Sequence, residues 1–243
     1  MKTTKELLNE NFTKKITFNE ELHKYYVDSN PLSISASGVI GNFYESFETK
    51  KIAKSISKSL LDIVSQNDVL ASWDELCEIG QNTGTKTHIF GEFYPFDRSL
   101  TPENNQEIAC KNYWDNMPKY YKPLIMEQRM YHFKYMFGGT ADITLFNEKT
   151  GNILLGDYKT NKDLFKNFGG KMMLSPFEDM LDMPFSHYVI QLNIYKILLE
   201  QVEGIIVEGM QIIWLRRNKS YQMYSIPDIT DRVKKALDNL YKI

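Results

Sequence analysis

The segment from Gly138 to Thr160 constrains the fold of this chain more than any other part of its sequence. Two runs rich in apolar and β-branched residues flank the turn sequence Asn147-Glu-Lys-Thr-Gly151-Asn, and they predict a pair of β-strands joined by a hairpin-type turn. Side chains alternate between the two faces of a strand, so Asp157 and Lys159 are expected on the same face of the second strand.

Asp142 lies on the first of these predicted strands. Aspartate is disfavoured inside strands, so its position among apolar residues indicates a purpose. If it meets the face that carries Asp157 and Lys159, the three side chains form an oxygen-rich site for a divalent cation beside a fixed positive charge. Such an arrangement is typical of phosphodiester cleavage. The aspartates would hold the metal, and Lys159 would orient the attacking water and stabilise charge on the phosphate, a role compatible with a salt bridge to one of the acids.

Several motifs, in this order along the chain, resemble the RecB-like branch of the PD-(D/E)XK nuclease superfamily. Gly84-Thr-Lys-Thr-His88 resembles its helix-borne G-x-x-x-H motif, and Asp142 matches the first acidic position. Asp157-x-Lys159 matches the D-x-K element, and Gln191-Leu-Asn-Ile-Tyr195 resembles the Q-x-x-x-Y motif. The ordered set is far more specific than any one of its members.

The N-terminal region extends this resemblance. Phe18 to Tyr25, followed by Leu32 to Ser37, looks like the opening of phage-type and mitochondrial-genome-maintenance-type exonucleases of the same branch. The similarity therefore spans roughly Phe18 to Leu215. By analogy, it suggests an enzyme of mobile-element or viral replication and recombination.

The resemblance implies roles for individual residues, with Mg²⁺ or Mn²⁺ as the cofactor. The implied metal ligands are His88, Asp142, Asp157, the backbone carbonyl of Tyr158 and, as in some relatives, Glu127. The implied catalytic residues are Asp142, Asp157, Lys159, Gln191 and Tyr195. Gln191 and Tyr195 lie four apart, so they share a helix face that could orient the catalytic sheet and DNA phosphates. The alternatives are core packing for Tyr195 and a cross-strand ion pair for Glu127.

Three functions from different classes stay open at this point. The resemblance favours a deoxyribonuclease that acts as an exonuclease on DNA ends or single-stranded DNA in replication, recombination or repair. A structure-specific endonuclease that cuts flaps or branches is the second. The third is a catalytically silent module that binds DNA or a protein on the same scaffold. DNA is the expected partner, either single-stranded or as an ended duplex; a replication or recombination protein is a further possible partner, and the oligomeric state stays open.

A DNA-binding surface is harder to predict, because the chain has a net charge of −2 and binding depends on local basic patches. The best candidate is the stripe formed by Lys51, Lys54 and Lys58 at helical spacing, for which a solvated helix face is the alternative. Ser33 and Ser35 could bind phosphate or cap the helix that follows.

Composition limits the remaining possibilities. The chain has 243 residues and 42% hydrophobic content, enough for one sizeable core, and it has no apolar stretch long enough to span a bilayer and no apolar signal-peptide core. We therefore expect a cytoplasmic protein of a bacterium or a phage-infected cell, without a membrane partner. Some relatives hold an iron–sulfur cluster with four cysteines; Cys77 and Cys110 cannot supply that set, so no iron–sulfur cluster is expected.

The predicted fold is α+β, with a central mixed β-sheet flanked by helices, a restriction-endonuclease-like core and an N-terminal helical elaboration. We predict one nuclease domain made of residues 1–70 (helices and a hairpin), 71–226 (catalytic core) and 227–243 (C-terminal helix). The predicted helices are 2–11, 43–65, 72–94, 103–116 and the one that contains Gln191, and the predicted strands are 125–134, 139–146, 153–160, 206–215 and 220–226, after a hairpin at 15–28. Residues 161–186 are expected to form either a lid or strand-guiding segment or a poorly ordered surface insertion.

Overall fold

The computed structural model describes residues 2–60 and 63–242 of the chain. Its helices and strands are α1 (Thr4–Leu8), β1 (Ile16–Asn19), β2 (Lys24–Val27), β3 (Asn30–Pro31), α2 (Ala36–Ile40), α3 (Thr49–Ser59), α4 (Gln66–Phe93), α5 (Asn105–Asp115), β4 (Tyr121–Tyr131), β5 (Gly138–Asn147), β6 (Ile153–Lys159), α6 (Pro184–Glu200), β7 (Val207–Leu215), β8 (Tyr221–Ser225) and α7 (Thr230–Tyr241). A π-helical turn, Asn9–Thr13, follows α1, and a 3₁₀ turn, Gly41–Phe43, follows α2.

The central sheet has five strands in the order β4-β5-β6-β7-β8. All neighbours pair antiparallel except β6 and β7, which are parallel and are connected through α6. The predicted α+β class, with a mixed sheet flanked by helices, is confirmed. The largest difference in a strand boundary is at β4, which begins at Tyr121 rather than near residue 125, with an irregularity between Pro123 and Ile125 that accommodates the proline.

The sheet separates two apolar cores. Ile212 and Ile213, adjacent on β7, belong to different cores, as the alternation of side chains along a strand requires. The larger core lies under α2, α6 and α7 and contains Ile190, whereas the smaller one lies under α5 and the C-terminal part of α4 and contains Trp114. Helices therefore pack on both faces of the sheet.

The two helices before α5 differ from their predictions. The predicted helix 43–65 is shorter, because Tyr44 has extended backbone and α3 begins at Thr49; residues 61–62 of that prediction lie outside the described residues. By contrast, α4 begins earlier than predicted, at a Ser65 capping box, and continues through both of its internal glycines. Its apolar stripe at Leu76 and Cys77 is exposed, because the N-terminal half of α4 lies against α3 and away from the cores.

The segment between β6 and α6 has irregular backbone, apart from a bridge between Met172 and Leu181. Three buried side chains, Leu164, Met173 and Phe177, insert into the larger core. The segment is therefore packed onto the domain and is not a loose surface insertion.

The terminal regions also pack on the core. The predicted hairpin at 15–28 is present as β1 and β2, and Val233 and Leu237 of α7 join the larger core beneath α6. Among the described residues, no helix is both long enough and apolar enough to cross a membrane.

Candidate metal centre

Three of the residues singled out from the sequence converge at one point. The His88 Nδ1 atom lies 3.4 Å from Asp142 Oδ2 and 3.9 Å from Glu127 Oε1. One donor atom from each side chain lies within 4.8 Å of the other two, a spacing at which a single metal ion could bind all three. His88 comes from α4, whereas the two carboxylates come from neighbouring strands, so the site forms only when helix and sheet are packed together.

Two glycines bring α4 close enough for His88 to enter the site. A Cβ atom at Gly91 would lie 2.5 Å from the ring of Tyr158, and one at Gly84 would lie 3.3 Å from Thr160 Oγ1. Gly84 precedes His88 by four residues, and the tighter of the two approaches is at Gly91. Any side chain at Gly91 would displace α4 from β6 and move His88 away from the carboxylates.

Along β4 and β5, the side chains switch the face of the sheet to which they point at the position of Glu127 and Asp142. Ala141 belongs to the larger core, yet Ile143, two residues later, belongs to the smaller one; on a regular strand they would share a face. Glu127 lies opposite Asp142, between the paired positions Met126↔Ile143 and Gln128↔Ala141, and it has a φ of 50°. A positive φ costs a non-glycine residue roughly 1–2 kcal/mol. Strain of this kind is found at functional sites, where the surrounding structure holds the residue in place.

Where β5 and β6 separate, the Asp142 side chain accepts a hydrogen bond from the β6 backbone in place of a backbone carbonyl of β5. The paired residues of these strands run from Phe146↔Ile153 to Ile143↔Gly156, and the next position would place Asp142 opposite Asp157. There, the backbone N–H of Tyr158 donates to Asp142 Oδ2 at 2.7 Å. This hydrogen bond fixes the carboxylate with its oxygen facing His88.

Asp157 and Lys159 form a second group beside these three residues. The Lys159 ammonium contacts Asp157 Oδ2, a buried oxygen that has no aligned hydrogen-bond donor among the described residues. The same ammonium lies 4.3 Å from the centre of the Tyr188 ring, and the Tyr188 hydroxyl donates to Asn161 Oδ1 at 2.8 Å. Both side chains are on one face, as predicted; Asp157 is buried, and Lys159 is partly buried.

Charge interactions across the site perturb the ionisation of its members. Burial acts to lower the pKa of His88, but the charge of Asp142 and hydrogen bonds to Asp142 and Glu127 outweigh it and raise the pKa to about 10. Burial and the charge of Asp142 raise the pKa of Asp157 to about 6, despite the opposing charge of Lys159. For Asp142, the charge and hydrogen bond of His88 overcome burial and lower the pKa. Burial opposes the charge of Lys159, yet Asp157 holds the pKa of its ammonium above the usual value.

The donor set fits a divalent cation. One imidazole nitrogen and two carboxylates suit Mn²⁺ and, with water completing the shell, Mg²⁺. Without a metal, a proton on His88 offsets one of the two negative charges. A divalent cation between the same three atoms would replace that proton and offset both charges, because metal ligands bind in their deprotonated forms. The predicted ligands His88, Asp142 and Glu127 are therefore brought together, while Asp157 is engaged by Lys159 next to them.

Tyr158 contributes to this region through both its backbone and its side chain. Its buried hydroxyl accepts a hydrogen bond from Trp114 Nε1 at 2.6 Å, on the face of the sheet opposite Asp157 and Lys159. The aromatic side chain thereby anchors the strand end beneath the site. Metal binding by the Tyr158 carbonyl stays a prediction.

Gln191 and Tyr195 share a face of α6, as predicted, and are hydrogen-bonded to each other at 2.8 Å. The Tyr195 side chain is 4% exposed and lies over Gly139 of β5, where a Cβ atom would approach its ring to 2.7 Å. Tyr195 therefore packs in the core, the alternative raised above, and a direct contact with DNA is closed to it in this conformation. The pair can still orient β5, the strand that carries Asp142.

The predicted DNA contacts divide into two groups. Lys51, Lys54 and Lys58 are exposed on α3, and Lys51 pairs with Glu48 at 2.6 Å. Ser35 caps α2 by accepting the Gly38 N–H, whereas Ser33 is exposed. The capping alternative is therefore present for Ser35.

Two further charged residues near the triad of His88, Glu127 and Asp142 were not singled out from the sequence. Glu92 follows His88 by four residues on α4, and its pKa is raised by burial and by the charge of Glu127, while Arg129 opposes this. The i, i+4 spacing from His88 was the available signal for Glu92.

No protein-family model matches this chain, and no curated protein matches it.

Proposed function

We propose that this protein is a metal-dependent deoxyribonuclease that hydrolyses DNA phosphodiester bonds, acting as an exonuclease on DNA ends or single strands. The convergence of His88, Glu127 and Asp142 beside the Asp157–Lys159 pair carries the proposal. The order of these motifs along the chain, which resembles that of PD-(D/E)XK nucleases, supports it.

The cation, Mg²⁺ or Mn²⁺, would be held by His88, Glu127 and Asp142, with Asp157 as a further predicted ligand. When bound, it would polarise the scissile phosphate and make a water molecule easier to deprotonate. The Tyr158 N–H keeps Asp142 oriented for this role, and the packing of α4 on β6 keeps His88 in place.

Lys159 supplies the positive charge for the reacting phosphate. Its raised pKa keeps it protonated at neutral pH, and Asp157 and the Tyr188 ring restrain its ammonium. A preorganised ammonium in a buried site stabilises developing negative charge without the reorganisation that water would require. Lys159 can therefore donate to a phosphate oxygen or to the attacking water.

The test is a cleavage assay on end-labelled linear single-stranded, linear duplex and closed circular DNA with Mg²⁺, Mn²⁺ or EDTA. We expect metal-dependent loss of the linear substrates, abolished in Asp142→Asn and retained in Glu208→Gln, a matched acid-to-amide change far from the triad. Nicking of circles would replace the exonuclease with an endonuclease. If folded wild-type protein with bound metal cleaves none of these substrates, the deoxyribonuclease proposal is wrong.

A further inference from the structure

An apolar cavity of about 250 Å³ lies between the start of α3, the segment before α6 and the first turn of α6. It is slightly smaller than the roughly 300–1,000 Å³ pockets that enclose drug-sized ligands. A single ring system therefore suits its size better than an extended cofactor. It lies outside the His88, Glu127 and Asp142 group.

Four of the residues that line this cavity carry aromatic rings. The Tyr44 and His187 rings stack with their centres 4.2 Å apart and their planes at 16°, and His187 is fixed by a 2.8 Å hydrogen bond to Asp182. Phe47 and Phe168 also line the cavity, although they are 59% and 63% exposed. Exposed aromatic rings beside a preformed stack offer flat surfaces to a flat ligand.

One charged group at its rim is open to a ligand with a negatively charged backbone. The three acids that line the cavity already have partners: Glu45 is paired with Lys171 at 2.8 Å, Glu48 with Lys51, and Asp182 with the His187 ring. Lys166 lines the cavity with its Nζ atom 4.8 Å from the centre of the Phe168 ring, and it has no ion-pair partner within residues 2–60 and 63–242. A free ammonium beside an aromatic platform suits a phosphate next to a stacked base.

One wall residue of the cavity adjoins, along α6, the residue that contacts the proposed catalytic lysine. His187 lines the cavity, and the following residue, Tyr188, contacts the Lys159 ammonium. A strand whose phosphate reaches Lys159 would pass this part of α6. The position therefore connects the cavity to the path of a substrate.

From these features we propose that the cavity binds one unpaired nucleobase of a DNA single strand, stacked among Tyr44, Phe47, Phe168 and His187, with Lys166 contacting an adjacent phosphate. The inference deepens the proposed nuclease function and rests on it for the identity of the polymer. It assigns single-stranded DNA, or a frayed duplex end, as the form of DNA that the protein binds.

The test measures binding without cleavage, in EDTA. The probes are a fluorescent strand of about 12 thymidine nucleotides and a strand of equal length that lacks bases, because single-strand sites span about 4–16 nucleotides. Wild-type protein should bind the base-bearing strand more tightly. Phe168→Ala should weaken that binding by about 5-fold to 150-fold, the effect of losing one stacking partner, and should leave binding of the abasic strand unchanged.

Phe96→Ala is the matched control, since Phe96 is 60% exposed and lies outside the cavity. Lys166→Ala should weaken both strands alike and lower the salt dependence by about 0.7 per lost phosphate contact. Equal binding of both strands by wild type, or equal losses in Phe168→Ala and Phe96→Ala, would overturn the base-binding proposal even if the protein cleaves DNA. Base-dependent binding without metal-dependent cleavage would keep the cavity assignment and reject the nuclease.

Discussion

Acidic residues lie at both ends of β6, and their surroundings differ. At the N-terminal end, the Glu208 carboxylate on β7 accepts hydrogen bonds from Asn147, Thr150 and Tyr121. Although its burial acts in the other direction, these neutral donors lower the pKa of Glu208. This carboxylate ties the start of β4 and the β5–β6 turn to β7, and the chain alone satisfies it.

At the C-terminal end, the acids depend on charged neighbours and on one another. Burial and the charge of Asp142 raise the pKa of Asp157, and both Asp142 and Glu127 lie against the His88 ring. These groups are together where Glu127 has a positive φ and where the side chains of β5 switch from one face of the sheet to the other. The comparison shows how the two kinds of acid differ. A structural acid such as Glu208 is satisfied by neutral hydrogen-bond donors from the chain, whereas the acids of the proposed metal centre carry negative charge that a cation would neutralise.

The largest expected effect is on the cleavage rate, which should depend on the C-terminal end of β6 and not on its N-terminal end. Lys159→Met should lower the single-turnover cleavage rate by roughly 10²–10³-fold, because it removes a preorganised charge from the reacting phosphate. Glu208→Gln should leave that rate unchanged. Comparable losses in the two variants would show that the ends of β6 do not differ in function.

The second prediction concerns the backbone strain at Glu127, which is part of the proposed metal centre. Glu127→Gly should weaken Mn²⁺ binding about tenfold, and it should raise the free energy of unfolding of the metal-free protein by up to about 1 kcal/mol, since glycine adopts a φ of 50° freely. Calorimetric Mn²⁺ titration and urea denaturation measure the two effects. Glu127→Gln is the control: it should lose affinity without gaining stability, and a gain there would remove the argument from strain.

A smaller effect is expected from the ring beneath Lys159. Tyr188→Leu should lower kcat about fivefold with little change in KM, because the ammonium loses a cation–π contact that restrains it. Tyr188→Phe keeps the ring and should retain most of the rate. Equal losses in both variants would assign the effect to the hydroxyl bound to Asn161.

The smallest effect concerns the pH dependence of stability in EDTA. Asp157 has a raised pKa, so its contribution to stability is present below its unfolded pKa and is lost as the pH rises through about 6. Glu208 has a lowered pKa, so its contribution is present above its unfolded pKa and is lost as the pH falls through the folded one. In urea denaturation between pH 3 and 7, the difference in free energy of unfolding between wild type and Asp157→Asn should therefore change as the pH rises. The difference between wild type and Glu208→Gln should change in the opposite direction over the same range. Parallel trends would contradict this contrast.

The sequence predicted the sheet well because its signals are local. Period-two patterns and the turn at Asn147 to Asn152 place β5 and β6 within about two residues, and the spacing of Asp157 and Lys159 fixes their common face. The meeting of His88 with Asp142 was expected only from the resemblance to a nuclease family, whereas the strand and turn predictions are local. These local predictions need no knowledge of which elements touch elsewhere.

Other features depend on tertiary contacts and could not be predicted in this way. The exposed stripe of α4 at Leu76 has ordinary helical periodicity, and periodicity does not say whether another element covers a face. The positive φ of Glu127 arises from the switch of side-chain face along β4 and β5, for which a non-glycine sequence carries no signal. Tyr188 reaches Lys159 only because α6 returns across the sheet.

The most direct test of the central claim is a titration of the protein with Mn²⁺, followed by electron paramagnetic resonance, in wild type, Asp142→Asn and Glu208→Gln. The account predicts a bound Mn²⁺ signal in wild type and Glu208→Gln and its loss in Asp142→Asn, with all three proteins folded. Absence of binding in wild type, or equal binding in all three, would show that the His88, Glu127 and Asp142 group is not a metal centre.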